Sequence, residues 1–190
     1  TMTRRKPDLQ ISVLSQAAPE AVYDVLADLR THLDWSGSRQ FGMFRLLALE
    51  APAGAAQVGT VFHTSGTIPM SARQWSDRST VTVADRPRTF EFVTEATAGD
   101  NGMTARNEHR YEIRAAGSGS RITYTFAQLA AARPMLRLVL PVMGWMTWRF
   151  AIPMFVRRTL RNLAAVAEER SQVARSTARV ADNKIQMHED

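Results

Sequence analysis

One segment of this chain collects its chemistry on a single side. From Arg106 to Arg114 every second residue is charged: Arg106, Glu108, Arg110, Glu112 and Arg114. Between them lie His109, Tyr111 and Ile113. Successive side chains of a strand point to opposite faces, so this alternation separates a charged face from an apolar one that carries an imidazole and a phenol. An imidazole there can give or take a proton near neutral pH, or orient a ligand by a hydrogen bond. It can equally be a core histidine satisfied by a neighbouring tyrosine or glutamate. Both readings of His109 stand, and Tyr111 is its companion as a catalytic candidate. Other groups offer less. Glu91 and Glu95 share a strand face and read as a solvated surface set against arginines. Asp34 can cap a helix or orient a ligand. His32 and His188 read as surface residues, and the facing of His63 is ambiguous.

The spacing of the remaining residues excludes several chemistries. The four histidines form no HxH or HExxH pattern and there is no cysteine, so neither a metal site nor a thiolate nucleophile is expected. No Ser-His-Asp order, phosphate-cradling glycine loop or GxGxxG is present, and no cofactor is expected.

The elements that must position His109 and Tyr111 follow from hydrophobic periodicity. Leu9, Ile11 and Val13 alternate with polar residues as a half-buried strand. Ala18-Pro19-Glu20 opens a helix, with proline at its first position and an acid in its first turn. Val22, Leu26 and Leu29 continue it at helical spacing. Strand patterns follow at Phe44–Leu49, Val58–Thr64, 73–84, Thr89–Glu95, Arg106–Arg114 and Ile122–Phe126. Asp85-Arg86-Pro87-Arg88, Gly99-Asp100-Asn101-Gly102 and Gly117-Ser118-Gly119 turn the chain between them. This is an antiparallel meander. After Pro153 an amphipathic helix carries Val156, Leu160, Leu163 and Ala167 on one stripe. The pattern predicts one α+β domain over residues 8–170. Residues 1–7 form an arm, and 171–190 a polar tail that is either frayed helix or disordered.

The net charge is +6 and nearly all the basic residues are arginines, since only Lys6 and Lys184 are lysines. They are scattered singly without interleaved aromatics, which argues against nucleic acid as a partner. The N-terminal segment has no apolar stretch and does not read as a signal peptide. The expected location is the cytoplasm. Residues 138–156 are almost wholly apolar, but two prolines, a glycine and Arg149 break them, which argues against a membrane span. They read either as a segment packed over the domain or as a weak membrane-surface contact. In the second case Trp145, Trp148 and Phe150 meet lipid while Arg149, Arg157 and Arg158 meet head groups, making the protein peripheral to a membrane. A homodimer through the same segment is left open.

The layout resembles the START-like, or SRPBCC, superfamily, in its polyketide cyclase/dehydrase and lipid-transport branch. The carrying residues are Ala18-Pro19-Glu20-Ala21-Val22-Tyr23, Asp34-Trp35, Val58-Gly59-Thr60-Val61-Phe62, Arg86-Pro87-Arg88-Thr89-Phe90-Glu91-Phe92 and Gly119-Ser120-Arg121-Ile122-Thr123-Tyr124. The resemblance covers residues 8–170. It implies a helix-grip fold, in which a curved antiparallel sheet of about seven strands wraps around a long C-terminal helix and leaves a cavity between them. In that register Phe62, Phe90, Phe92, His109, Tyr111, Tyr124 and Phe126 line the cavity, with Trp35 at its mouth. The implied function is binding or transport of a hydrophobic small molecule or lipid. Two alternatives go with the resemblance: a polyketide cyclase/aromatase or dehydratase using His109 or Tyr111, and a coenzyme-Q-chaperone-like protein acting at membranes or on partners.

Overall fold

The computed structural model describes residues 7–40, 45–67, 74–98, 103–131 and 147–186. Its first strand, β1 (Leu9–Ser15), leads into α1 (Pro19–Ala27), which begins with Pro19 at its first turn and Glu20 beside it. Proline lacks the N–H that would go unsatisfied there, and the carboxylate faces the positive end of the helix dipole. Val22, Tyr23, Val25, Leu26 and Ala27 are buried. The chain then winds through a 3-10 turn (Leu29–Thr31) and a π-helical turn (Leu33–Ser38). Six strands follow: β2 (Leu46–Glu50), β3 (Val61–Thr67), β4 (Gln74–Asp85), β5 (Thr89–Ala98), β6 (Met103–Ala116) and β7 (Gly119–Ala131). A second π-helical turn (Thr147–Ala151) runs into the long helix α2 (Ile152–Gln186). The expected turn at Gly99-Asp100-Asn101-Gly102 and His188 lie outside the described residues.

The strands form one antiparallel sheet in the order β1-β7-β6-β5-β4-β3-β2. Each neighbour is the next strand in sequence except at β1, which pairs with β7 and so leaves the helical turns to cross one face. α2 packs on β1, α1 and the π-helical turn. Leu160, Leu163, Ala164, Val166 and Ala167 bury its apolar stripe. Polar contacts fix the rim of this seat. Glu168 accepts from the Ser15 hydroxyl at 2.8 Å and the Gln16 N–H at 2.7 Å. Arg39 grips both oxygens of Glu169, and the Asn162 amide donates to the carbonyls of Trp35 and Arg39. The helix is therefore registered against both the sheet edge and the turn that carries Trp35. It continues as regular helix to Gln186, through most of the segment expected to be a frayed or disordered tail.

On the face of the sheet turned away from the helices, Glu91 differs from expectation. It does lie opposite an arginine, Arg110, but its carboxylate is only 11% exposed. Arg110 Nη1 donates to it at 2.8 Å while Arg110 Nε donates to Glu112 at 2.9 Å, and the Thr82 hydroxyl adds a third contact. A charge removed from water must be paired, and this cluster pairs it.

Candidate functional site

Strand register places the predicted site residues in rows across the helix-facing side of the sheet. One row runs Ile11, Tyr124, Tyr111, Phe90. The next runs Phe126, His109, Phe92, Val81. Within these rows the rings touch. Phe92 and His109 stack at 4.8 Å between centroids with planes 13° apart, and Tyr111 and Tyr124 approach to 5.0 Å. Phe62 meets Phe92 edge-on at 5.3 Å, and Phe126 meets His109 at 5.4 Å. Phe62, Phe90, Phe92, Tyr111 and Tyr124 are buried, whereas His109 and Phe126 are partly exposed. The face thus opens at the His109–Phe126 end.

His109 Nδ1 and the Tyr124 hydroxyl share a hydrogen bond of 2.8 Å. Burial lowers the His109 pKa to about 4. Burial also pushes the phenols of Tyr111 and Tyr124 upward, with their mutual proximity adding to the shift of Tyr124. At neutral pH the imidazole is therefore uncharged and both phenols keep their protons. The His109–Tyr124 pair then holds one N–H and one O–H but spends only one of them on the other. Whichever tautomer is present, a second donor remains to be aimed elsewhere.

Trp35 sits in the π-helical turn, buried, with its ring edge-on to Tyr111 at 6.4 Å and against His32 at 4.6 Å. It packs against the aromatic rows from the helical side. His32 corrects the expectation of a surface residue: it is 5% exposed and lies between Trp35 and Phe62. The cause is the end of α1, whose last carbonyls have no partner within the helix. The Thr31 hydroxyl donates to the Val25 carbonyl at 2.6 Å, and His32 Nε2 lies 3.0 Å from the Leu26 carbonyl. Burial lowers the pKa of His32 to about 4, so the neutral ring donates through Nε2. A polar pair directly after a helical stripe was the available signal.

These two rings give the fold a pH dependence. An unfolded histidine titrates near 6.5. Between that value and about 4 the folded protein binds fewer protons at His32 and His109 than the unfolded chain. Their contribution is complete above pH 6.5 and is lost as pH falls toward 4. Asp77 acts oppositely, since burial raises its pKa to about 6 and protonation in that window relieves it. Two rings outweigh one carboxyl, so the melting temperature should fall from pH 7 to pH 4. His109→Phe should shallow that fall. A flat profile would show that the rings are not sequestered from protons.

The resemblance implied a cavity among these rings. Two recesses are described, and neither is lined by them. One, of about 460 Å³, lies against β2–β5 and is lined mainly by residues of the opposite face, among them Glu50, His63, Arg78 and Glu95. The other, of about 630 Å³, lies at the start of α2 between Arg149, Phe150, Met154, Arg157, Arg158 and Arg161. Residues 138–146, including Trp145, lie outside the described residues, as does the side chain of Trp148. Among the described residues, no helix is long and apolar enough to cross a membrane.

A seven-stranded antiparallel sheet closed by a long C-terminal helix, with aromatic rows facing that helix, defines an α+β helix-grip domain of the SRPBCC type. A family model described as polyketide cyclase / dehydrase and lipid transport matches residues 6–168, and the chain belongs to that family. Solved structures of the same fold include TTHA0849 from Thermus thermophilus, with 15% identity, a TM-score of 0.60, and coverage of 86% of this chain and 98% of that one. Protein CV1439 from Chromobacterium violaceum is 16% identical with a TM-score of 0.56, covering 84% and 96%. A protein from Rhizobium leguminosarum is 12% identical with a TM-score of 0.60, covering 85% and 93%. These likenesses concern the fold alone. No curated protein matches the chain.

Proposed function

We propose that this protein binds a hydrophobic small molecule or lipid against the aromatic rows, as a binding or transport module. The observation that carries the reading is the electrical neutrality of that face. Its rings pack partly stacked and partly edge to face, and its polar handles, His109, Tyr111 and Tyr124, are all uncharged at pH 7. Apolar walls with a few neutral donors suit a mostly hydrocarbon ligand that needs orienting. The same neutrality weakens the cyclase or dehydratase alternative, because an imidazole with a pKa near 4 is a poor base at pH 7. Native mass spectrometry of protein purified without detergent should show a co-purified species of lipid or quinone size. The neutral probe N-phenyl-1-naphthylamine should bind at one per chain and weaken in Phe126→Trp, which enlarges a side chain at the open end. Absence of both a co-purified species and probe binding would overturn the reading.

A membrane contact at the start of α2 is supported by a separate observation. Phe150 is 57% exposed and Met154 62% exposed, beside Arg149, Arg157, Arg158 and Arg161. Apolar side chains set among guanidinium groups match the boundary of an anionic bilayer, where each cation contributes on the order of 1 kcal/mol and salt screens it. Co-sedimentation with phosphatidylserine-containing vesicles should be weak, diminish with added salt, and disappear in a Phe150→Ser/Met154→Ser double variant. Binding that persists in the double variant would place the contact elsewhere.

A further inference from the structure

Beyond the aromatic rows the same face changes character. The third row runs Gln128, Asn107, Thr94, Ser79, Phe62, and the fourth Ala105, Ala96, Asp77, Thr64. The Ser79 and Thr94 hydroxyls are 2.8 Å apart. The Thr64 hydroxyl donates to Asp77 Oδ1 at 2.6 Å, and Ser79 reaches the same oxygen at 3.5 Å. The strand positions that follow carry Gly66 and Trp75, where the indole lies so close over Gly66 that a Cβ there would come within 2.5 Å of the ring.

We infer that this end of the face recognises the head group of an amphipathic ligand, with Asp77 accepting a hydrogen bond from a hydroxyl or ammonium group while the aromatic rows hold the apolar body. The inference rests on the reading that those rows bind a ligand.

Three observations converge on it. The first is charge. The arginines of β4 and β6, Arg78, Arg106, Arg110 and Arg114, alternate onto the opposite face, and among the described residues no cation pairs with Asp77. Across β5 its register partner is Ala96, and across β3 it is Thr64. Among the described residues, the titratable group whose field reaches it is His63, which belongs to the other face of β3. A part-buried carboxylate without a counter-cation is costly to hold. Burial accordingly raises its pKa to about 6, against the Thr64 and Ser79 hydrogen bonds that lower it. It is still largely ionised at pH 7 and remains a strong acceptor.

The second observation is unmet hydrogen bonding. Asn107 Oδ1 and Trp75 Nε1 are buried with no partner. They lie on the rows that flank Asp77, on the same face. Buried polar atoms are nearly always satisfied, and a bound polar group is one way to satisfy them. The third is space. Ala96 and Ala105, between Asp77 and β7, carry only methyl side chains, and the recess of about 460 Å³ includes Thr64 and Asp77 in its lining.

Three probes with one ring system separate the possibilities: 2-methylnaphthalene, 2-naphthylmethanol and 2-naphthylmethylamine, titrated calorimetrically at pH 7 into the full chain. The alcohol, the amine or both should bind at least tenfold tighter than the hydrocarbon. Asp77→Asn, close in shape but uncharged, should remove most of the amine's advantage and a smaller part of the alcohol's. Asp77→Leu should remove both while leaving 2-methylnaphthalene binding within about twofold of wild type, which also reports that the site is still folded. A preference for the amine identifies a cationic head group, and a preference for the alcohol a hydroxyl. Equal binding of all three probes, or a preference that Asp77→Asn leaves intact, overturns the inference while the ligand-binding reading survives. Failure of every probe to bind wild type removes both.

Discussion

Leu160→Ala is expected to cost the folded domain about 2–5 kcal/mol. Leu160 is 1% exposed on the inner stripe of α2, one turn from Leu163 and Ala164. Truncation removes the side chain from the contact between α2 and the core formed by β1, α1 and the Trp35 turn. The surroundings cannot collapse to refill it, because Asn162, Glu168 and Glu169 pin the helix to its seat on either side. Chemical denaturation should show a lower midpoint with an unchanged slope, as a stability change without loss of compactness requires. A wild-type midpoint would mean that α2 is not docked through this stripe.

Gly119→Ala should be comparably damaging for a different reason. Gly119 opens β7 where β1 ends, and it is buried. A Cβ at this position would run into the Ser15 carbonyl oxygen and approach Gln16 Cα to 3.0 Å. The obstruction is backbone, so no rotamer change relieves it. Overpacking against flexible side chains costs about 1–3 kcal/mol, and rigid backbone places this case at the upper end or beyond. Shifting Ser15 and Gln16 would also pull them from Glu168, the link between sheet edge and helix. Gly119→Ala should therefore lower the melting temperature, and adding Glu168→Ala should cost less in that background than in wild type. Full additivity would show that the sheet edge and the helix rim are not coupled at this point.

The aromatic rows were legible in the sequence because β5 and β6 alternate cleanly. Arg106 to Arg114 puts a charge at every second position, and the face of His109, Tyr111 and Ile113 follows from that alone. β4 is different. Its inward residues Trp75, Asp77, Ser79 and Val81 mix polar and apolar types, so a period of two leaves no apolar face to recognise. Asp77 was hidden for that reason. His32 was hidden because its direction depends on how a 3-10 turn and a π-helical turn wind together, and neither has a strong pattern of its own. The placement of Trp35 came from resemblance, since nothing in its local sequence says where that turn leads. Glu91 read as a solvated acid because a charged strand face gives no sign of how deeply it is covered.

The length of α2 has a mechanical consequence. Its inner stripe is buried through Ala167, and residues 172–179 are exposed all round, yet the helix continues to Gln186. At 1.5 Å per residue the helix runs on for roughly 20 Å past Ser171, and residues 172–179 of that stretch are exposed on every side. A rod of that length adds hydrodynamic drag out of proportion to its mass. Rotational correlation times should exceed those of a sphere of the same mass and shorten when the chain is cut after Ser171. A dye attached along the rod, at Ser176 for example, would report how freely it swings without touching the face where a ligand is expected to sit.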